Sequence, residues 1–117
     1  MTVFAILLAA TSLQITIWPN GEGHAPRQAF TLKCAPPGGT LPNRRTACAK
    51  LLAMKQPFAR VRKALVCTQV YGGPAEAQIT GLFRGAPVRA RFNLRDGCQI
   101  ARWNRLRFIL GTASDSS

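Results

Sequence analysis

Four cysteines, at positions 34, 48, 67 and 98, are the residues of this 117-residue chain whose type and spacing carry the most chemistry. No two of them form a C-x-x-C pair. A four-cysteine zinc site usually draws its ligands in close pairs on tight turns, so the spacing argues for disulfides and against a metal. Three pairings are possible. Joining Cys34 to Cys48 and Cys67 to Cys98 closes the shortest loops without crossing, and each bridge is worth roughly 3–4 kcal/mol on the chain-entropy model. Paired cysteines in a small domain imply an oxidising compartment, and hence a secreted, extracellular protein.

Proton-transfer chemistry is poorly supplied. The single histidine, His24, sits in a Gly/Pro-rich turn between Gly23 and Ala25. The carboxylates Glu22, Glu76, Asp96 and Asp115 are scattered, with no two spaced for paired acid and base work across a cleft. The chain has no glycine-rich phosphate loop, and cysteines that pair are not nucleophiles. The expectation is a protein that is not an enzyme and uses no cofactor.

Charge is the other chemical resource. Sixteen Lys and Arg stand against four Asp and Glu, a formal charge of +12. With 47% apolar residues the chain can still fold as one modest domain despite self-repulsion. Three basic stretches, Arg60-Val61-Arg62-Lys63, Arg89-Ala90-Arg91-Phe92 and Arg102-Trp103-Asn104-Arg105-Leu106-Arg107-Phe108, motivate an alternative reading as a binder of nucleic acid or anionic surfaces. Charge spread over several elements is more often a solvated exterior than a binding stripe, so nucleic acid is not the expected main partner. The longest apolar run, Val3 to Ala10, is too short to span a membrane.

These residues need a framework. Residues 1–10 read as the remnant of a signal peptide, or as an N-terminal extension, without the basic residue that should precede a signal. The domain is expected over residues 11–112 and a flexible tail over 113–117. Leu13-Gln14-Ile15-Thr16-Ile17-Trp18 alternates apolar and polar residues, as a strand with one buried face does. Gln28 to Cys34 follows the same pattern and suggests its hairpin partner. A helix capped by Thr46 places Cys48, Leu51 and Leu52 at helical spacing until Pro57, with a weaker helical turn through Phe58, Val61 and Leu65. Val66 to Tyr71 reads as an extended, exposed loop closed by Gly72-Gly73-Pro74. Strands at Glu76–Phe83 and Val88–Leu94 bracket a turn at Arg84-Gly85-Ala86-Pro87, and Leu106–Leu110 supplies a last strand. The order argues for an antiparallel α+β domain.

Several stretches resemble the Streptomyces subtilisin inhibitor family of secreted serine-protease inhibitors. They are Phe30-Thr31-Leu32-Lys33-Cys34-Ala35-Pro36 with Gly39-Thr40 and Pro42, then Ala47-Cys48-Ala49, Cys67-Thr68-Gln69-Val70-Tyr71, and Gly81 to Cys98. The resemblance implies the pairings Cys34–Cys48 and Cys67–Cys98, a five-stranded antiparallel sheet with two short helices, and a homodimer. It also implies that Gln69-Val70 is the bond offered to a subtilisin-like, or less readily a trypsin-like, serine endopeptidase. Gln69 would fill the primary pocket, Val66, Cys67 and Thr68 would pair with the enzyme as an added strand, and Val70 and Tyr71 would lie on the leaving side.

Three departures from the family pattern bear on that site. Thr68 stands where the family often has Pro, which loosens the backbone, although a β-branched residue still favours the extended form. Asp96 stands where an Asn supports the reactive loop, and an ionised carboxylate accepts hydrogen bonds but cannot donate them. Gln69 is neutral, so a trypsin-like pocket gains no ion pair from it while a broad subtilisin-like pocket accepts it.

Overall fold

The computed structural model describes residues 10–111. The expected tail at 113–117, and all but the last residue of the expected signal remnant, lie outside this range.

Alternation builds the sheet. In strand β1 (Thr11–Trp18) Leu13, Ile15 and Ile17 are buried while Ser12 and Gln14 are exposed, as the period of two requires. Strands β2 (Gln28–Cys34), β3 (Glu76–Phe83) and β4 (Ala86–Asn93) complete an antiparallel sheet in the order β2-β1-β3-β4. The register aligns the apolar positions. Phe30 lies opposite Ile15, Ile15 opposite Ile79, and Ile79 opposite Ala90, so one row of the inner face crosses all four strands. Gly81 adopts φ 130° where β3 meets β1, and a Cβ there would stand 2.2 Å from the Ser12 carbonyl oxygen. Only glycine allows that approach.

The turn between β3 and β4 is tighter than the four residues expected. Phe83 pairs with Ala86, leaving only Arg84 and Gly85 between the strands, both at positive φ. That is the backbone a two-residue hairpin turn requires. Pro87 therefore falls inside β4, which tolerates it as an edge strand.

Helix α1 (Arg44–Leu52) packs on β2 through Ala47, Cys48 and Leu51 and is joined to it by the Cys34–Cys48 disulfide. It begins earlier than expected: Asn43, not Thr46, occupies the cap position, and its side-chain amide donates to the Phe108 carbonyl at 2.8 Å. Helix α2 (Gly97–Arg105) packs on β4 and is followed at once by the short α3 (Arg107–Leu110).

Three expectations are corrected here. The sheet has four strands among the described residues, not five, because Leu106–Leu110 folds as a helical turn. Leu106, Phe108 and Leu110 alternate like a strand, but the buried set is Trp103, Leu106, Ile109 and Leu110, which repeats every three to four residues. Among the described residues there are three helices rather than two. The turn proposed through Phe58, Val61 and Leu65 is not helical. Pro57 withholds an amide, and the carbonyl of Ala59, which a helix would use, accepts from Arg102 Nε at 2.9 Å. In the core, Trp103 is 1% exposed and its indole N–H donates to the Gly111 carbonyl, so its polar edge is satisfied where its rings are buried.

Candidate functional site

Residues 66–71 belong to no helix or strand, and all but the half-buried Cys67 are exposed. Their composition is unusual for such a position. Of the five large hydrophobic side chains exposed among the described residues, Leu65, Val66, Val70 and Tyr71 lie in one seven-residue stretch, and Val66 is 93% exposed. Contiguous exposed apolar residues mark a surface kept for a partner.

Three bonds hold the loop. The Cys67–Cys98 disulfide joins it to the first turn of α2. Next to it, the Gly97 amide donates to the Thr68 carbonyl at 3.0 Å. On the far side, the Gly72 amide donates to the Leu94 carbonyl at 2.7 Å, and the space where a Gly72 side chain would project is filled by Ile100 and Leu94. Between these clamps only Gln69, Val70 and Tyr71 lack a backbone bond to the body. All three are exposed.

Asp96 lies beside this anchor without bonding to the loop. Its carboxylate accepts from the Gln99 amide at 2.9 Å and caps α2, so it orients the helix whose first residue, Gly97, holds Thr68. Gly97 itself was not singled out from the sequence. The available signal was Asp96-Gly97-Cys98-Gln99, an N-cap acid with Gln three residues on, which is a helix-start pattern. Gly97 must also be small: a Cβ there would lie 2.0 Å from the Thr68 hydroxyl.

No catalytic or metal centre emerges among the described residues. Glu22 pairs with Arg91 and Glu76 accepts from the Glu22 amide and faces Arg95 at 3.7 Å, so these carboxylates are engaged in holding loops together. The Asp96 carboxylate and the sulfurs of Cys67 and Cys98 lie within 4.8 Å of one another, but the sulfurs are bonded together and offer a metal no thiolate.

The sequence pattern of the family described as "Subtilisin inhibitor-like" matches residues 9–94, which take in the sheet, α1 and the whole exposed loop. The chain belongs to the subtilisin inhibitor-like family. This inhibitor-like chain is 34% identical over 100 residues to a subtilisin inhibitor of Streptomyces violaceus, spanning 80% of this chain and 68% of that one. It is 35% identical over 78 residues to subtilisin inhibitor-like protein 5 of Streptomyces fradiae, spanning 64% and 72% of the two chains. Its fold is similar to that of Streptomyces caespitosus sermetstatin, solved in complex with Bacillus licheniformis subtilisin, with a TM-score of 0.52 and 24% identity over 83% of this chain and 96% of that one. The family match stops before Gly97 and Cys98, the residues by which α2 holds the exposed loop, and before Asp96, which caps that helix.

Proposed function

We propose that the chain inhibits subtilisin-like serine proteases by offering Gln69-Val70 as a substrate bond on a loop that cannot leave. The observation that carries this reading is the run of exposed apolar residues on a segment clamped at both ends. Membership of a family whose relatives are named subtilisin inhibitors supports the partner class.

The geometry suits the task. A flexible peptide loses entropy on binding and departs once cut, whereas a pre-ordered loop avoids most of the first cost. In this reading Val66, Cys67 and Thr68 add to the enzyme as a strand and Gln69 enters its primary pocket. If the protease attacks the Gln69 carbonyl, the acyl side stays tied through Thr68 and Cys67. The released amine of Val70 stays tied through Gly72. Both ends remain in place, so the amine can attack the acyl-enzyme and re-form the bond. The protein is then an inhibitor and not an enzyme. Two disulfides in a domain spanning residues 11–112 fit an extracellular setting, and we include secretion and a homodimer in the proposal.

Titration of subtilisin and trypsin with the purified, fully oxidised protein tests the reading. Stoichiometric loss of subtilisin activity with weaker action on trypsin is expected. Failure to inhibit any serine protease at micromolar concentration overturns it.

A further inference from the structure

The three basic stretches seen in the sequence are far apart in the chain, yet one arginine from the first, two from the second and one from the third line a single cavity of about 600 Å³ beside the edge strand β4. They are Arg60, Arg89, Arg91 and Arg102. The amide side chains of Gln78 and Gln99 share the lining, and Phe58 and Val61 form an apolar wall. No acidic residue contributes to it. Arg91 is neutralised by Glu22, but Arg60, Arg89 and Arg102 pair with no carboxylate among the described residues.

Arg102 fixes the floor. It is only 7% exposed, donates through Nε to the Ala59 carbonyl and through Nη1 to the Arg91 carbonyl, and stacks its guanidinium 4.1 Å from the Phe92 ring centroid. It therefore ties the Phe58–Val61 segment to the edge of the sheet while keeping its charge in a partly desolvated place. That burial, with Arg105 and Arg60 nearby, pushes its pKa below the ordinary arginine value. Like charges held together without a counter-ion are costly, and an oxyanion entering the cavity relieves all of them at once.

We propose that this cavity is a binding site for a compact multivalent oxyanion of the phosphate or sulfate type, held by Arg60, Arg89 and Arg102 with the Gln78 and Gln99 amides as neutral donors. The planar guanidinium forks match such oxygens. The site is separate from the exposed loop: none of residues 66–71 lines it. It gives part of the +12 charge a role that protease inhibition does not require.

Calorimetric titration of the full-length protein with inorganic pyrophosphate, and in parallel with inorganic sulfate, at constant near-physiological ionic strength tests the site and ranks the two anions. Saturable one-to-one binding is expected, weakened about ten-fold by R60Q and by R89Q, each of which removes one charge-assisted contact. R44Q, which removes the same charge from α1 outside the cavity, should leave binding unchanged, and all three variants should inhibit subtilisin as the parent does. Absence of saturable binding at millimolar anion overturns the proposal. So does equal weakening by R44Q, which signals bulk charge alone. A single-stranded oligonucleotide whose affinity keeps rising with its length, insensitive to R60Q and R89Q, replaces the discrete cavity with a diffuse basic track.

Discussion

The amide of Gly97 donates to the carbonyl of Thr68 at 3.0 Å, and the space a Gly97 side chain would fill is taken by the Thr68 hydroxyl. Backbone bond and steric fit thus meet at the residue just before Gln69. Thr68 has no ring to stiffen this position, and the contact with Gly97 supplies that restraint.

Gly97→Ala is expected to weaken subtilisin inhibition by about ten-fold while changing thermal stability little, because alanine is a better helix former at the start of α2 but its Cβ would push Thr68 away. Inhibition constants alongside melting curves check this. Unchanged inhibition would mean that the loop is ordered without this contact.

Removing the Cys67–Cys98 bridge by a double serine substitution should convert inhibitor into substrate. The bridge spans 31 residues, which on the chain-entropy model stabilises the fold by about 4 kcal/mol, and it also anchors the acyl side of the proposed bond. Incubation with subtilisin followed by mass spectrometry should then find accumulating cleavage between Gln69 and Val70. The parent should show little.

Replacing Gln69 by Lys should move activity toward trypsin, whose primary pocket rewards a positive charge, and a large apolar replacement should favour subtilisin instead. Paired titrations of the two enzymes report both shifts. If trypsin inhibition by the Lys variant matches the parent, the reactive bond lies elsewhere.

Asp96 separates capping from charge. Asp96→Asn should be nearly neutral in stability because asparagine caps as well as aspartate, whereas Asp96→Ala should cost about 1 kcal/mol through loss of the bond to Gln99. Denaturant unfolding of both variants measures the difference. A large loss in the Asn variant would show that the negative charge, and not the cap, is what α2 requires.

Much of the sheet could be read in advance. The alternation in Thr11–Trp18, Gln28–Cys34 and Glu76–Phe83 survived folding because a period of two has one consistent solution when one face is buried. The segment Leu106–Leu110 misled for the same reason in reverse: four or five apolar residues fit both periods, and only Trp103, one helical turn earlier, decides that the buried stripe is helical. Helix α2 was hidden because its buried face carries a charged residue, Arg102, beside Trp103, which breaks the apolar period and leaves Asp96 and Gln99 as the local clue.

By itself the sequence determined the strand pattern, the exposed loop from Val66 to Tyr71 and a cysteine spacing suited to two short disulfide loops. These are properties of residues near one another in the chain, where period, turn chemistry and loop length act directly. Tertiary structure alone decided that Gly97 and Leu94 clamp the loop, that Asp96 works through a helix cap, and that Arg60, Arg89 and Arg102 share a cavity. Each of those relations joins residues from separate elements, and their distances exist only once the sheet has fixed where α2 and the Phe58–Val61 segment lie.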